Sequence, residues 1–219
     1  MQPSDYIRSR QAREMRRAAR HSYRMGRALN WQVTIDYGWQ EIGDELKPSR
    51  LHRDIRKRVW SWWDYKRKKG EVTGPLYDWT TWEAPNGKHH ANWLLFIPDE
   101  LIEEAETVIL NRSEKVLGEL SSDTVHQQPI YNLNGIVDYS LKGTEPEYAE
   151  KVDIDHEPQG TIWCRRAVPS RALGRAARDN DWRTGAVVNS NPRSGLIPPR
   201  ELRVIQREQR LSATKEGAV

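Results

Sequence analysis

The sequence predicts an α+β fold, a central antiparallel sheet with flanking helices arranged as a two-layer sandwich. Three observations carry that expectation. A Pro85-Asn86-Gly87 turn separates the aromatic run Tyr77 to Trp82 from the run His90 to Ile97, the pattern of a β-hairpin. Trp31 to Tyr37 alternates, with Trp31, Val33 and Ile35 on one face and Gln32, Thr34 and Asp36 on the other. Two later segments, 49–69 and 99–120, carry apolar residues at the helical period, and two helices on one side of an antiparallel sheet give this class.

In chain order, Ser4 to Leu29 reads as a helix with only a thin apolar stripe of Ile7, Met15, Ala18, Ala19 and Met25. That stripe predicts a mostly solvated basic arm over residues 1–29, ahead of a folded domain at 30–183. Ser49 offers an N-cap for the helix running to Lys69, whose Leu51, Ile55, Val59, Trp62 and Trp63 share a face and read as core. Asp99 opens the next helix with acids in its first turn, where they complement the helix dipole. Ser121 to Pro129 reads as a polar connection. Asn132 or Asn134 caps a short helix that ends at Gly143, placing Tyr139 and Lys142 on one face. Glu145 to Gln159 is acidic and loop-like, 160–165 reads as a further strand, and Pro169 to Asn180 as a basic helix. Residues 184–219 read as a flexible tail, with a charged helix at 199–210.

The charge balance is modest overall, 35 Lys and Arg against 31 Asp and Glu, but segregated. Arg8 to Arg27 holds eight Arg and one Glu, so Arg13, Arg16, Arg17 and Arg20, with Arg171, Arg175 and Arg178 further on, are candidates for contacts to a nucleic-acid backbone. A solvated helix face explains such runs equally. One cysteine, Cys164, excludes a disulfide framework and zinc-finger spacing. The longest apolar run, Trp93 to Ile97, is too short to span a bilayer, so the expectation is a cytoplasmic protein without a membrane partner. No Gly-x-x-x-x-Gly-Lys-Ser/Thr loop and no Gly-x-Ser-x-Gly elbow is present.

Alternation along the hairpin points His90 and Asn92 to the same face, and a carboxylate on the partner strand, where Glu83 lies, sits opposite them. Carboxylate, imidazole and amide oxygen together suit Mg²⁺ or Mn²⁺ better than zinc. The same residues also read as ordinary polar groups of a hairpin.

The stretch Gly87, Lys88, His90, Ala91, Asn92, Trp93, Leu94 and Leu95 resembles the second motif of the HUH endonucleases, the rolling-circle replication initiators of plasmids and single-stranded DNA phages. Asn92 stands where that family has its second histidine, and His89 faces the other side of the strand. Trp31 to Tyr37 resembles the family's first motif and Tyr139-x-x-Lys142 its third. The resemblance implies an HUH/RRM-like sandwich that nicks single-stranded DNA. It implies Glu83, His90 and Asn92 as ligands of Mg²⁺ or Mn²⁺, Tyr139 as nucleophile and Lys142 as the group that organises the phosphate. The alternative it leaves open is a DNA-binding protein on the same fold that has lost catalysis and acts in replication control or transcriptional repression.

Overall fold

The computed structural model describes residues 3–38 and 45–187. The expected helix at 199–210 and nearly all of the expected tail lie outside them.

The sheet has five strands, β1 (Trp31–Asp36), β2 (Asp78–Glu83), β3 (His90–Leu95), β4 (Val125–Pro129) and β5 (Ala167–Pro169), in the order β4-β1-β3-β2-β5. Every pairing is antiparallel. The β2–β3 hairpin closes through Pro85–Gly87, where Asn86 (φ 54°) and Gly87 (φ 78°) take the left-handed backbone that Asn and Gly tolerate best. Six helices flank the sheet: α1 (Ser9–Arg24), α2 (Lys47–Lys68), α3 (Ile102–Leu117), α4 (Leu133–Ser140), α5 (Pro146–Lys151) and α6 (Arg175–Arg183).

One face of the sheet, built from Val33, Ile35, Trp82, Ala91, Trp93 and Leu95, packs on α2 and α3 through Ile55, Val59, Trp63, Ala105 and Ile109. Trp62 and Trp63 belong to this core, as their spacing predicts. A buried polar network pins α2 to the same face. His52 lies between the Tyr37 hydroxyl and the Thr80 hydroxyl, 3.1 Å from each. Asp78, wholly buried, accepts on one oxygen from Arg56 Nε (3.0 Å), Arg56 Nη2 (2.7 Å) and Trp93 Nε1 (2.7 Å).

The opposite face is covered too, which corrects the two-layer expectation and the solvated arm. Ala12, Met15, Ala18 and Ala19 of α1 are fully buried in a second core with Trp79, Leu94, Leu133, Val137 and Ala149. The stripe looks thin in sequence because most of its members are alanines. Small side chains let the helix approach the sheet closely, and close packing rather than side-chain bulk holds it there. The segment ahead of α1 is tied in as well, with Ser4 bridging to Ile162 and Ile7 to Thr144.

Three smaller expectations change. The polar connection at 121–129 contains β4, an edge strand whose exposed glutamines carry no apolar alternation and which forms because β1 offers it a partner. The acidic 145–159 segment contains α5, started by Pro146 at its first position. The strand expected at 160–165 forms instead at Ala167–Pro169, and the helix expected at 169–180 is split into a 3₁₀ turn at Arg171–Leu173 and α6.

Candidate functional site

The covered face is apolar only at one end. Toward the hairpin tip, register places Asp36, His90 and Glu83 side by side on β1, β3 and β2, and Thr34, Asn92 and Thr81 in the next row. Helix α4 and the loop at 157–159 stand over these rows, leaving a cleft of about 680 Å³. Glu83, His90, Asn92, Tyr139 and Lys142 all line it. The structure thus gathers the five expected residues, which the chain separates by up to 59 positions (83 to 142).

Each is held by local structure. Asn132 caps α4 by accepting from the Gly135 N–H (3.0 Å), while Leu133, Val137 and Ser140 face the core, so Tyr139 is left on the open side with 49% of its surface exposed. Arg16 of α1 donates to Asp138 (2.5 Å), which fixes α4 one residue before the tyrosine. The helix ends earlier than expected, at Ser140, and Lys142 lies in the following turn, where its N–H donates to the Tyr139 carbonyl (3.2 Å). That turn still brings the two together, with Lys142 Nζ 4.2 Å from the centre of the Tyr139 ring.

Glu83 is buried, and burial raises its carboxyl above the ordinary range against the opposing fields of Lys142 and Arg166. Lys142 Nζ is 4.0 Å from one Glu83 oxygen but 3.1 Å from Glu157. Burial alone would lower the lysine, yet Glu83, Glu157 and Tyr139 together hold its pKa above the usual value. The two shifts point in different senses for one pair. At 4.0 Å the ammonium is too distant to offset the desolvation of Glu83, whereas its own charge is secured by closer Glu157.

The second Glu83 oxygen accepts from Asn92 Nδ2 at 2.9 Å. Behind it runs a chain of donors across the sheet: Gln128 to Gln32 (2.9 Å), Gln32 to Thr34 (3.4 Å) and Thr34 to the Asn92 carbonyl (3.1 Å). Gln32, Thr34 and Gln128 escape sequence reading as site residues. Thr34 and Asp36 are visible on the polar side of their strand, but only the β1–β3 register shows which residues they meet. His90 Nδ1 is 3.8 Å from Asp36 Oδ1.

Among the described residues, no three His, Cys, Asp or Glu side chains are gathered as a metal site. The donor set is therefore Glu83, His90 and the amide of Asn92. Its chemistry fits a hard divalent cation, since a buried carboxylate without a close cation favours one. For Asn92 to contribute oxygen, its amide must turn over, because the NH₂ now faces Glu83.

The wall of the cleft at 157–160 is bound to β2. The Ala84 N–H donates to the Gln159 carbonyl (2.8 Å), and buried Arg166 donates to the carbonyls of Ser4 (2.7 Å), Gln159 (3.3 Å), Trp82 (3.4 Å) and Gly160. Burial lowers the Arg166 guanidinium to about 10, against the fields of Asp5, Cys164 and Glu83.

The arginines expected to contact a nucleic-acid backbone divide into two groups. Arg16 is spent on Asp138, and Arg178 on Glu14 and the Leu173 carbonyl (2.7 Å), so both serve to join helices. Arg13, Arg17, Arg20, Arg171 and Arg175 are exposed, although Arg17 lies against Glu14 (2.9 Å) and Arg175 against Asp179 (3.5 Å). On the far side of the strand His89 lines a different cleft, as alternation requires. No described helix is long and apolar enough to cross a membrane. No family model and no curated protein matches the chain.

Proposed function

We propose that this chain is an HUH-like endonuclease of the rolling-circle replication initiator kind, which nicks single-stranded DNA through Tyr139. The observation that carries the reading is the convergence of Tyr139 and Lys142 with Glu83, His90 and Asn92 in one cleft. The exposed Tyr139 hydroxyl attacks the scissile phosphorus in line, the bond to the 3′ oxygen breaks, and a 5′-phosphotyrosine forms that conserves the bond for rejoining. Lys142, fully charged beside that ring, offsets charge developing on the phosphate oxygens. Glu83, His90 and Asn92 would hold Mg²⁺ or Mn²⁺, which when bound supplies Lewis-acid polarisation of the phosphate. Exposed Arg13, Arg17 and Arg20 on α1, a helix braced against α4, would hold the strand by its phosphates.

One observation favours a second reading, a DNA-binding protein that has lost cleavage. The Asn92 amide is engaged at both ends, by Glu83 and by Thr34, where the family's imidazole would face a cation. Incubation with labelled single-stranded oligonucleotides and manganese separates the two. The nicking reading expects a covalent adduct that maps to Tyr139 and disappears in Tyr139→Phe with folding unchanged. Exposed Tyr131 and the α5 residue Tyr148 do not line the cleft, and an adduct on either rejects the assignment. Calorimetry with manganese on wild type and Asn92→His adds a reading independent of activity. Absence of both adduct and manganese binding in the two proteins, with single-stranded DNA present, leaves the binding-only reading.

A further inference from the structure

Resting on the nucleic-acid reading above, we propose that a second cleft, on the other side of the hairpin tip from Tyr139, receives one amino-bearing nucleobase of the bound strand. This cleft, of about 560 Å³, is lined by Tyr37, Glu45, Asn86, His89 and Trp163 and by the backbone of Gly38, Gly87 and Gly160. Its volume falls within the range of small-ligand pockets, roughly 300–1,000 Å³.

The two clefts are separated by a single layer of backbone. Glu83 lines the first and Ala84 the second, His90 the first and His89 the second, Gln159 the first and Gly160 the second. A strand crossing the tip therefore presents a phosphate to Tyr139 and a neighbouring base to the opposite side. Glycines leave flat walls, and the His89 and Trp163 rings offer faces of the kind on which unstacked bases lie.

The polar groups choose the base. His89 Nε2 is buried without a hydrogen-bond partner. A backbone contact with Gly87 favours the proton on the other ring nitrogen, and burial keeps the ring neutral, so Nε2 is an unfilled acceptor. The Glu45 carboxylate, close enough for its field to act on His89, is a second acceptor. Two acceptors ask for an NH₂ group, which adenine, cytosine and guanine carry and thymine does not.

Fluorescence anisotropy in low-salt buffer tests this with a labelled oligo(dT) 15-mer and three variants carrying one central dA, dC or dG. Wild type is expected to bind at least one amino-bearing variant about 5- to 150-fold more tightly than oligo(dT), the range that stacking and one base contact provide. His89→Ala and Trp163→Ala should collapse that preference while keeping the affinity for oligo(dT). Glu45→Gln, at an exposed position that tolerates change, should reduce it as well and keeps the test open if the other variants fail to fold. Equal affinity for all four oligonucleotides, or a preference that persists in the variants, overturns the inference. Failure to bind any of them sinks the nucleic-acid reading itself, a result distinct from binding without preference.

Discussion

Gly160→Ala is expected to unseat the wall of the Tyr139 cleft, and Gly70→Ala shows how much of the effect is local. Both glycines have left-handed backbones, φ +65° and +77°, so alanine at either costs about 1–2 kcal/mol for the conformation alone. At Gly70 a new Cβ meets nothing within 4 Å, and the cost ends there. At Gly160 it falls 2.0 Å from the Ala84 carbonyl oxygen, a backbone atom that no side-chain rotation relieves. The loop must move, and it takes with it the Ala84–Gln159 hydrogen bond and at least one hydrogen bond of buried Arg166. A neutral hydrogen bond contributes about 0.5–1.5 kcal/mol and a charge-assisted one about 1.5–3 kcal/mol, so the extra destabilisation is about 2–4 kcal/mol. A domain of ordinary stability, about 5–15 kcal/mol, remains folded. Urea denaturation of wild type and both variants gives the difference, and adduct formation should fall with Gly160→Ala because Glu157 and Gln159 line the cleft. Equal destabilisation by the two substitutions would refute the reasoning.

Burial holds His52 well below the ordinary histidine value of 6.5, so the folded protein keeps it neutral while the unfolded chain takes up a proton. Stability then declines as pH falls through that value, by about 1.4 kcal/mol between roughly pH 7.5 and 5.5, and urea titrations should show His52→Gln less pH-sensitive by that amount. Asp78→Ala strands Arg56 and the Trp93 N–H and should cost about 3–5 kcal/mol in the same assay, whereas Asp78→Asn, which keeps an acceptor, should cost less. Replacing Arg13, Arg17 and Arg20 together by Ala should flatten the salt dependence of single-stranded DNA binding, by ~0.7 of a log unit of slope for each phosphate no longer neutralised; an unchanged slope removes α1 from the binding surface.

The hairpin, the β1 strand and the helices α2 and α3 were legible because their residues state their own periodicity. Trp31 to Tyr37 alternates whether or not it has neighbours, and Pro85-Asn86-Gly87 selects left-handed backbone locally. Strand alternation likewise put His90 and Asn92 on one face and His89 on the other. Tertiary structure decided the rest, for reasons that no local pattern carries. β4 is a strand only because β1 pairs with it, and α1 is core only because alanines that look neutral in sequence meet a close-packed sheet. Arg16 and Arg178 look like their neighbours, but Asp138 and Glu14, 122 and 164 positions away, make them struts between helices. Likewise Asn92 is one polar residue on a strand until register sets it between Thr34 and Glu83. The order of residues fixes which groups a strand or helix presents on each side; which groups they meet depends on pairing and packing between distant segments.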